Sequence, residues 1–456
     1  LAHFIVPYLH HADPRIQTQA IRALRRTVNE NSNRVVPDIL KFLEVGEEED
    51  RLAGLEALAK IADTSCVGPL LKASGDFTPH ERRQAERVLL RIGLKSVPTV
   101  VTVLRDPRYP YRGRALAARG LGKLALPQLE AVSENLIETE IARAYRFQAF
   151  HQVLETQADQ TPGVEVLSHF YADLRVRIVD FILEILTIGG RLPDFELISS
   201  SLRSRNPKER GNAIETIEQG VPRSVFQNLL PLIDGRSIGA LTEFYKANFT
   251  VVDSDPDEIF EEALNSPFAI EAAAAAQAMW DAEFPGAAEL LRNRLTASAP
   301  TIVRDTIVSL FVHDGDADGL NPVERLHCLA GSDFFRRLPI NELELLSRDA
   351  ARRRYADGEM IFFAGAPADE LHVVLQGAVE TLGAARGERL PGEIIGEEGV
   401  FGVREYGSDA VSRGAETLVL TAELVLEAVR TYPSIGVEMF RHRLIKPAPI
   451  EASVKV

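Results

Sequence analysis

Through the first 312 residues the apolar positions recur at three- and four-residue intervals, the mark of helices with one buried face; beyond about residue 355 they fall into short alternating runs. The helical part has a longer period as well. Pro7, Pro37, Pro69, Pro98 and Pro127 are spaced by 30, 32, 29 and 29 residues, and each opens a similar apolar phrase, such as Val36 to Leu40 or Val97 to Val100. Proline costs nothing in the first turn of a helix, where its missing N–H has no partner to lose, so each phrase predicts a helix start. A second set of starts pairs a capping side chain with proline: Asp13-Pro14, Asp106-Pro107 and Asn206-Pro207, each leading into an alanine-and-isoleucine or leucine stripe. From Tyr355 to Leu420 the runs are β-branched and aromatic, with Gly, Pro and Asp between them, and predict an all-β roll of about eight strands.

The period near 30 residues and the small residues within it resemble HEAT repeats, which implies an α-solenoid of stacked antiparallel helix pairs with a surface for a protein partner. The expected fold class is therefore mostly α, a solenoid followed by a small β-roll with flanking helices. The expected divisions are a helical-repeat domain at 1–312, an acidic linker at 313–325, the roll with its helices at 326–446 and a tail at 447–456. After residue 130 the repeats lengthen: 138–157 and 170–187 read as extended helices, and the alanine run Ala272 to Ala276 reads as a tightly packed one.

The linker imitates a calcium loop at Asp314, Asp316, Asp318 and Gly319, but Arg325 stands where the bidentate Glu is required. No bound calcium is expected. Asn321, Pro322 and Glu324 instead spell a capped helix start.

The order Gly358-Glu-x-Ile-Phe-x-x-Gly365-x-x-x-Asp369-x-Leu-x-Val-Val-x-x-Gly377-x-Val379 resembles the first half of a cyclic nucleotide-binding domain, the β-roll of catabolite-activator-type regulators and cyclic-nucleotide-dependent kinases. Helical phrases at Phe335 to Leu346 and from Ala422 to about Leu444 are similar to that family's flanking helices. The resemblance implies a phosphate cassette that opens at Gly396 and Glu397, with cyclic AMP or cyclic GMP as the ligand. Glu397 would accept from the ribose 2′-hydroxyl, and an arginine nine or ten residues later would clamp the phosphate. Those two positions are Tyr406 and Gly407, so the expected guanidinium is missing; Arg404 comes early, Arg413 late, and Asp409 adds a negative charge nearby. The candidate ligand-binding residues are Gly396, Glu397, Arg404, Tyr406 and Ser408.

A formal net charge of −15 argues against nucleic acid as a main partner. The runs Arg22, Arg25, Arg26 and Arg352 to Arg354 read as ion-pair donors or solvated faces. Cys66 and Cys328 have neither disulfide nor metal spacing, no apolar run reaches a bilayer span, and a cytoplasmic setting follows. Catalysis is not expected: one His80-Glu81 pair is too few for a metal-dependent hydroxylase, and no nucleophile elbow or phosphate-binding loop is present. The chain opens at Leu1 inside a helical pattern and reads as a piece of a longer protein. Its arrangement resembles the soluble C-terminal part of bacterial transporters related to ATP/ADP carriers, which implies an upstream membrane domain. The sequence thus points to a non-enzymatic regulatory or scaffold module with a degenerate nucleotide pocket, the alternative being a working cyclic-nucleotide receptor.

Overall fold

A computed structural model describes residues 2–44, 46–249, 254–312, 319–383 and 386–445. The chain is mostly helical with one small antiparallel sheet, and among the described residues every strand lies at or after Ala351. No helix among them is long and apolar enough to cross a membrane. Two compact units emerge, Leu1–Phe147 with Leu174–Val251, and Gln148–Asp173 with Val252–Val456; the division falls inside the long helices Tyr111–Glu155 and Pro162–Ile188.

In the first unit the recurring prolines sit where their lost N–H is harmless. Pro37, Pro69 and Pro98 occupy the first turns of Val36–Leu43, Val67–Ala73 and Val97–Arg105, and Pro7 lies in the 3-10 turn Val6–His10. Pro127 follows a break at Ala125 (φ −156°, ψ 64°) within Tyr111–Glu155. Of the capping pairs, Asp13 and Asn206 do start helices, Pro14–Thr27 and Pro207–Gly220, by accepting from the N–H of Arg15 and Lys208. Asp106 does not. Its carboxylate takes the Arg108 N–H at 3.0 Å and the Arg108 guanidinium at 2.8 Å, and the next helix waits until Tyr111. The cause is a second proline, Pro110, which keeps Tyr109 out of helical backbone geometry.

Helices Pro14–Thr27, Glu48–Ile61 and Pro79–Ile92 pack in succession, and Val36–Leu43, Val67–Ala73 and Val97–Arg105 form a second row. Ion pairs join members of the first row: Arg22 to Glu49 at 3.3 Å, Arg25 to Glu56 at 3.2 Å, and Arg51 to Glu81 at 2.6 Å. Glu81 also closes a capping box with Thr78 and is fully buried, so this carboxylate is committed to structure.

In the second unit, Ala269–Asp281 is buried from Ile270 to Met279. Its alanines admit backbone at close range: a Cβ on Gly163 would lie 2.3 Å from the Ala278 nitrogen. Asn321 caps Pro322–Gly331, accepting from the N–H of Val323 and Glu324, while Glu324 reaches back to the Asn321 N–H at 2.8 Å. Asp314, Asp316 and Asp318 lie outside the described residues.

The sheet comprises β1 (Ala351–Arg354), β2 (Met360–Phe362), β3 (Glu370–Gly383), β4 (Gly387–Arg389), β5 (Ile394–Ile395) and β6 (Ser408–Thr421), in the order β1-β6-β3-β4 with β2 also on β6 and β5 on β3. Among the described residues six strands stand where about eight are expected, and the first begins before 355. The reason is that β3 and β6 do not break but bend, at Gly377 (φ +68°) and Gly414 (φ +63°), with register shifts between Val374 and Ala378. Left-handed backbone of this kind suits glycine. Helices Ala422–Thr431 and Pro433–Ile445 follow the sheet.

Gly377 is doubly constrained, because a Cβ there would also meet the Gly414 carbonyl oxygen at 2.2 Å, whereas a Cβ on Gly414 would meet nothing within 4 Å. Gly377→Ala is therefore expected to lower stability by more than the ~1–3 kcal/mol of backbone strain alone, and Gly414→Ala by no more than that strain. Urea unfolding of both variants checks this; equal losses would show that crowding at the bend is not limiting.

Candidate functional site

The chain leaves β5 at Gly396 (φ +77°), where a Cβ would lie 2.6 Å from the Glu370 carbonyl oxygen and 3.1 Å from the Tyr406 ring. A Cβ on Gly399 would fall 1.7 Å from the Ala368 carbonyl oxygen. The segment from Gly396 to Gly402 thus lies with its backbone against the loop before β3, and only glycine fits at those two places. It forms one 3-10 turn, Gly399–Phe401. The N–H groups of Val400, Phe401, Gly402 and Val403 donate to the carbonyls of Glu397, Glu398, Gly399 and Glu398 at 3.0–3.2 Å. These amides are spent within the turn.

The five candidate residues go to different places. Gly396 and Tyr406 meet. Glu397 belongs to the turn, its carbonyl accepting from Val400 at 3.2 Å. Arg404 accepts the Ala368 N–H with its carbonyl at 3.0 Å, but its side chain is exposed and makes no ion pair among the described residues. Ser408 is buried at the start of β6, opposite Gly383 of β3. Of the other charges considered, Arg413 pairs with Glu380, and Asp409 accepts the Ala364 N–H at 2.7 Å.

Tyr406 points inward. Its ring stacks on Phe362 with centroids 3.8 Å apart and planes 15° from parallel, inside a cluster with Ala368, Val374, Val379, Ile395, Ala410 and Ala415. Its hydroxyl donates to the Glu370 carbonyl at 2.9 Å and accepts from the Glu370 N–H at 3.2 Å. Burial pushes the phenol up to about 12, so it stays protonated. The adjoining backbone is fixed too: Gly365 N–H donates to the Tyr406 carbonyl, and Tyr406 N–H to Ala366, both at 2.9 Å.

Two participants, Glu370 and Glu398, were not singled out in the sequence, and a third, Phe362, was quoted there only as a position of the Gly358-to-Val379 motif. Glu370 supplies both backbone partners of Tyr406. Phe362 supplies the stacking face. Glu398 accepts the Gly407 N–H on Oε1 at 3.3 Å, and its Oε2 is buried without a hydrogen-bond partner among the described residues. Among the described residues no group of three or more His, Cys, Asp or Glu side chains is placed to hold a metal ion.

Residues 352–432 match the family described as the cyclic nucleotide-binding domain. The match covers the roll and its first closing helix. Solved structures similar to this region include the N-terminal domain of a transcriptional regulator from Streptomyces coelicolor A3(2), at 22% identity over 26% of this chain and 93% of that one, TM-score 0.24. The catabolite activator protein of Thermus thermophilus is 28% identical over 25% of this chain and 59% of its own, TM-score 0.23. The regulatory domain of Toxoplasma gondii PKA, solved with cAMP, is 15% identical over 27% and 49%, TM-score 0.24. No curated protein matches the chain.

His372 is buried on β3, 3.2 Å from the Thr417 hydroxyl and beside Phe362, and burial lowers its imidazole to about 4. The unfolded chain, with an ordinary imidazole near 6.5, binds the proton first. Stability contributed by neutral His372 is thus complete above about pH 6.5 and is lost as pH falls towards 4, by about 3 kcal/mol. Urea midpoints measured across that window should fall more steeply for the unchanged chain than for His372→Leu; parallel slopes would contradict the assignment.

Proposed function

We propose that the chain is a non-enzymatic regulatory module: a cyclic nucleotide-binding-type roll that has stopped answering to cyclic nucleotides, joined to a HEAT-like solenoid that binds a protein partner and restrains an attached domain. The observation that carries the reading is the state of the phosphate cassette. A cyclic phosphate needs a guanidinium or unspent N–H groups facing it. At the two positions where the family's arginine is expected stand a buried tyrosine and a glycine, and the Gly407 N–H is already taken by the Glu398 carboxylate. Arg404 is turned outward. Glu398, a charge of the same sign as a phosphate, lies at the Gly407 amide and weighs against a bound cyclic phosphate there. The two rows of helices in the first unit support the solenoid part of the reading, because stacked pairs leave one continuous face for a partner.

Tyr406 and Asp409 are not the places at which to restore a clamp. Tyr406 belongs to the core and Asp409 holds the Ala364 N–H, so changing either disrupts the roll. Gly407 is exposed, and a Cβ there would find only Glu398 Oε1, at 3.6 Å. Titrating cyclic AMP and cyclic GMP into the full chain by calorimetry should give no binding in the micromolar range. Gly407→Arg combined with Glu398→Ala should improve affinity about 10- to 100-fold, the worth of one charge-assisted bond. Submicromolar binding by the unchanged chain would sink this reading in favour of a working receptor.

A further inference from the structure

We infer that the cavity between the helix Pro322–Gly331 and β3 is a binding site for a small uncharged molecule with an apolar body and a carboxamide-like head, in which a hydrogen-bond donor sits beside an acceptor. The site is separate from the cassette, since none of its lining residues falls between Gly396 and Ser408.

The cavity holds about 290 Å³, at the small end of ligand pockets, which run from roughly 300 to 1,000 Å³. A bulge shapes one wall. Val374 and Gln376 pair with consecutive residues of β6, Thr417 and Glu416, so Leu375 between them has no opposite residue, and such a bulge re-aims a side chain. Leu320 and Cys328 line the cavity as well, and burial pushes the Cys328 thiol up to about 11, which keeps it neutral. At the rim two glycines face each other: a Cβ on Gly392 would lie 3.7 Å from the Gly331 carbonyl oxygen, and the Asp333 N–H donates to the Gly392 carbonyl at 2.9 Å. Helix and loop are thereby tied together with no side chain from either glycine to fill the space.

The polar end is an ion pair with capacity left over. Glu416, only 6% exposed, accepts on Oε1 from the Nε of Arg352 and, at 2.8 Å, from the Nε of Arg354. Its Oε2 and the two terminal nitrogens of Arg352 make no hydrogen bond among the described residues. A head whose carbonyl takes a guanidinium N–H and whose own N–H goes to Oε2 completes both partners. A carboxylate would meet Arg352 but set an oxygen against Glu416, and an ammonium would meet Glu416 but oppose Arg352. An unmatched charge is costly away from water, so the uncharged class is the one that fits.

Benzamide is the probe, and Cys328 reports its binding. The only other cysteine, Cys66, is fully buried in the first unit and serves as the internal control. In the full chain, benzamide should slow N-ethylmaleimide labelling of Cys328 several-fold, with half-protection at about 1–10 mM, as suits so small a ligand, and leave Cys66 unaffected. Benzoate, of the same shape but charged and lacking the donor, should need about tenfold more. Glu416→Gln should erase that preference. If this variant does not fold, Leu375→Trp, which fills the cavity from the bulge, decides: calorimetry should show its benzamide affinity at least tenfold weaker. Absence of protection at tens of millimolar benzamide, benzoate as effective as benzamide, a preference unchanged in Glu416→Gln, or full binding by Leu375→Trp would each overturn the inference. No arm involves a cyclic nucleotide, so failure here is distinguishable from failure of the functional reading.

Discussion

Two fourteen-residue antiparallel strands can enclose a core only if both bend at the same level, and everything at the candidate site depends on the one place where β3 and β6 do so. Gly377 meets the Gly414 carbonyl at a distance no side chain tolerates. The apolar cluster draws on both arms of both strands: Val374 and Val379 from either side of one bend, Ala410 and Ala415 from either side of the other. Without the bend these residues would face a flat sheet, and Tyr406 would have no interior to enter. The turn from Gly396 to Gly402 depends on it in turn, because it rests on carbonyls of the segment leading into β3.

What the sequence made legible was whatever is decided locally. A proline in a first turn, an asparagine before proline with a glutamate three residues on, and an alanine run against neighbouring backbone each state a rule that the flanking residues satisfy, and the helices at Val36, Val97 and Pro322 obey. Asp106-Pro107 misled because Pro110, three residues later, overrode the first signal. The strand count was misread for a related reason: glycine in a strand pattern signals either a turn or a bend, and only pairing with a second strand chooses between them. At the site, residue order pointed to the segment from Gly396 to Ser408, which lies inside the region that matches the cyclic nucleotide-binding family. The direction of Tyr406 was not legible, for it is set by backbone bonds to Gly365 and Ala366, some forty residues earlier in the chain.

The arginine run of β1 shows how period-two geometry distributes charge. Arg352 and Arg354 lie on one side of the strand and both donate to Glu416, while Arg353, on the other, makes a two-pronged pair with Glu370 at 2.6 and 2.7 Å. A basic stretch that could suggest nucleic acid is thereby neutralised within the roll. Glu370 is consequently held at both ends, its carboxyl kept below the usual range by Arg353 and its backbone by the Tyr406 hydroxyl. The outer pair is partly exposed and is worth about 0–1 kcal/mol. The inner one involves buried polar groups, where an unmade hydrogen bond costs about 1–3 kcal/mol, so the phenol is the stronger restraint.

A ligand shifts a conformational equilibrium only by the difference in its affinity for the two states. A side chain packed in the core, as Tyr406 is, can stabilise a state but cannot report a changing concentration in solution. If the cassette is silent to cyclic nucleotides, information must reach the domain by another route, and the remaining variable is what binds to its exterior or to the helical units. The roll then acts as a rigid element whose docking another protein reads. The Glu398 carboxylate marks where that rigidity is least complete: it is half-buried, with one oxygen bonded to the Gly407 amide and the other enclosed without a hydrogen-bond partner among the described residues, which costs desolvation. Removing that charge should tighten the turn rather than loosen it, which separates a residue kept for function from one kept for stability.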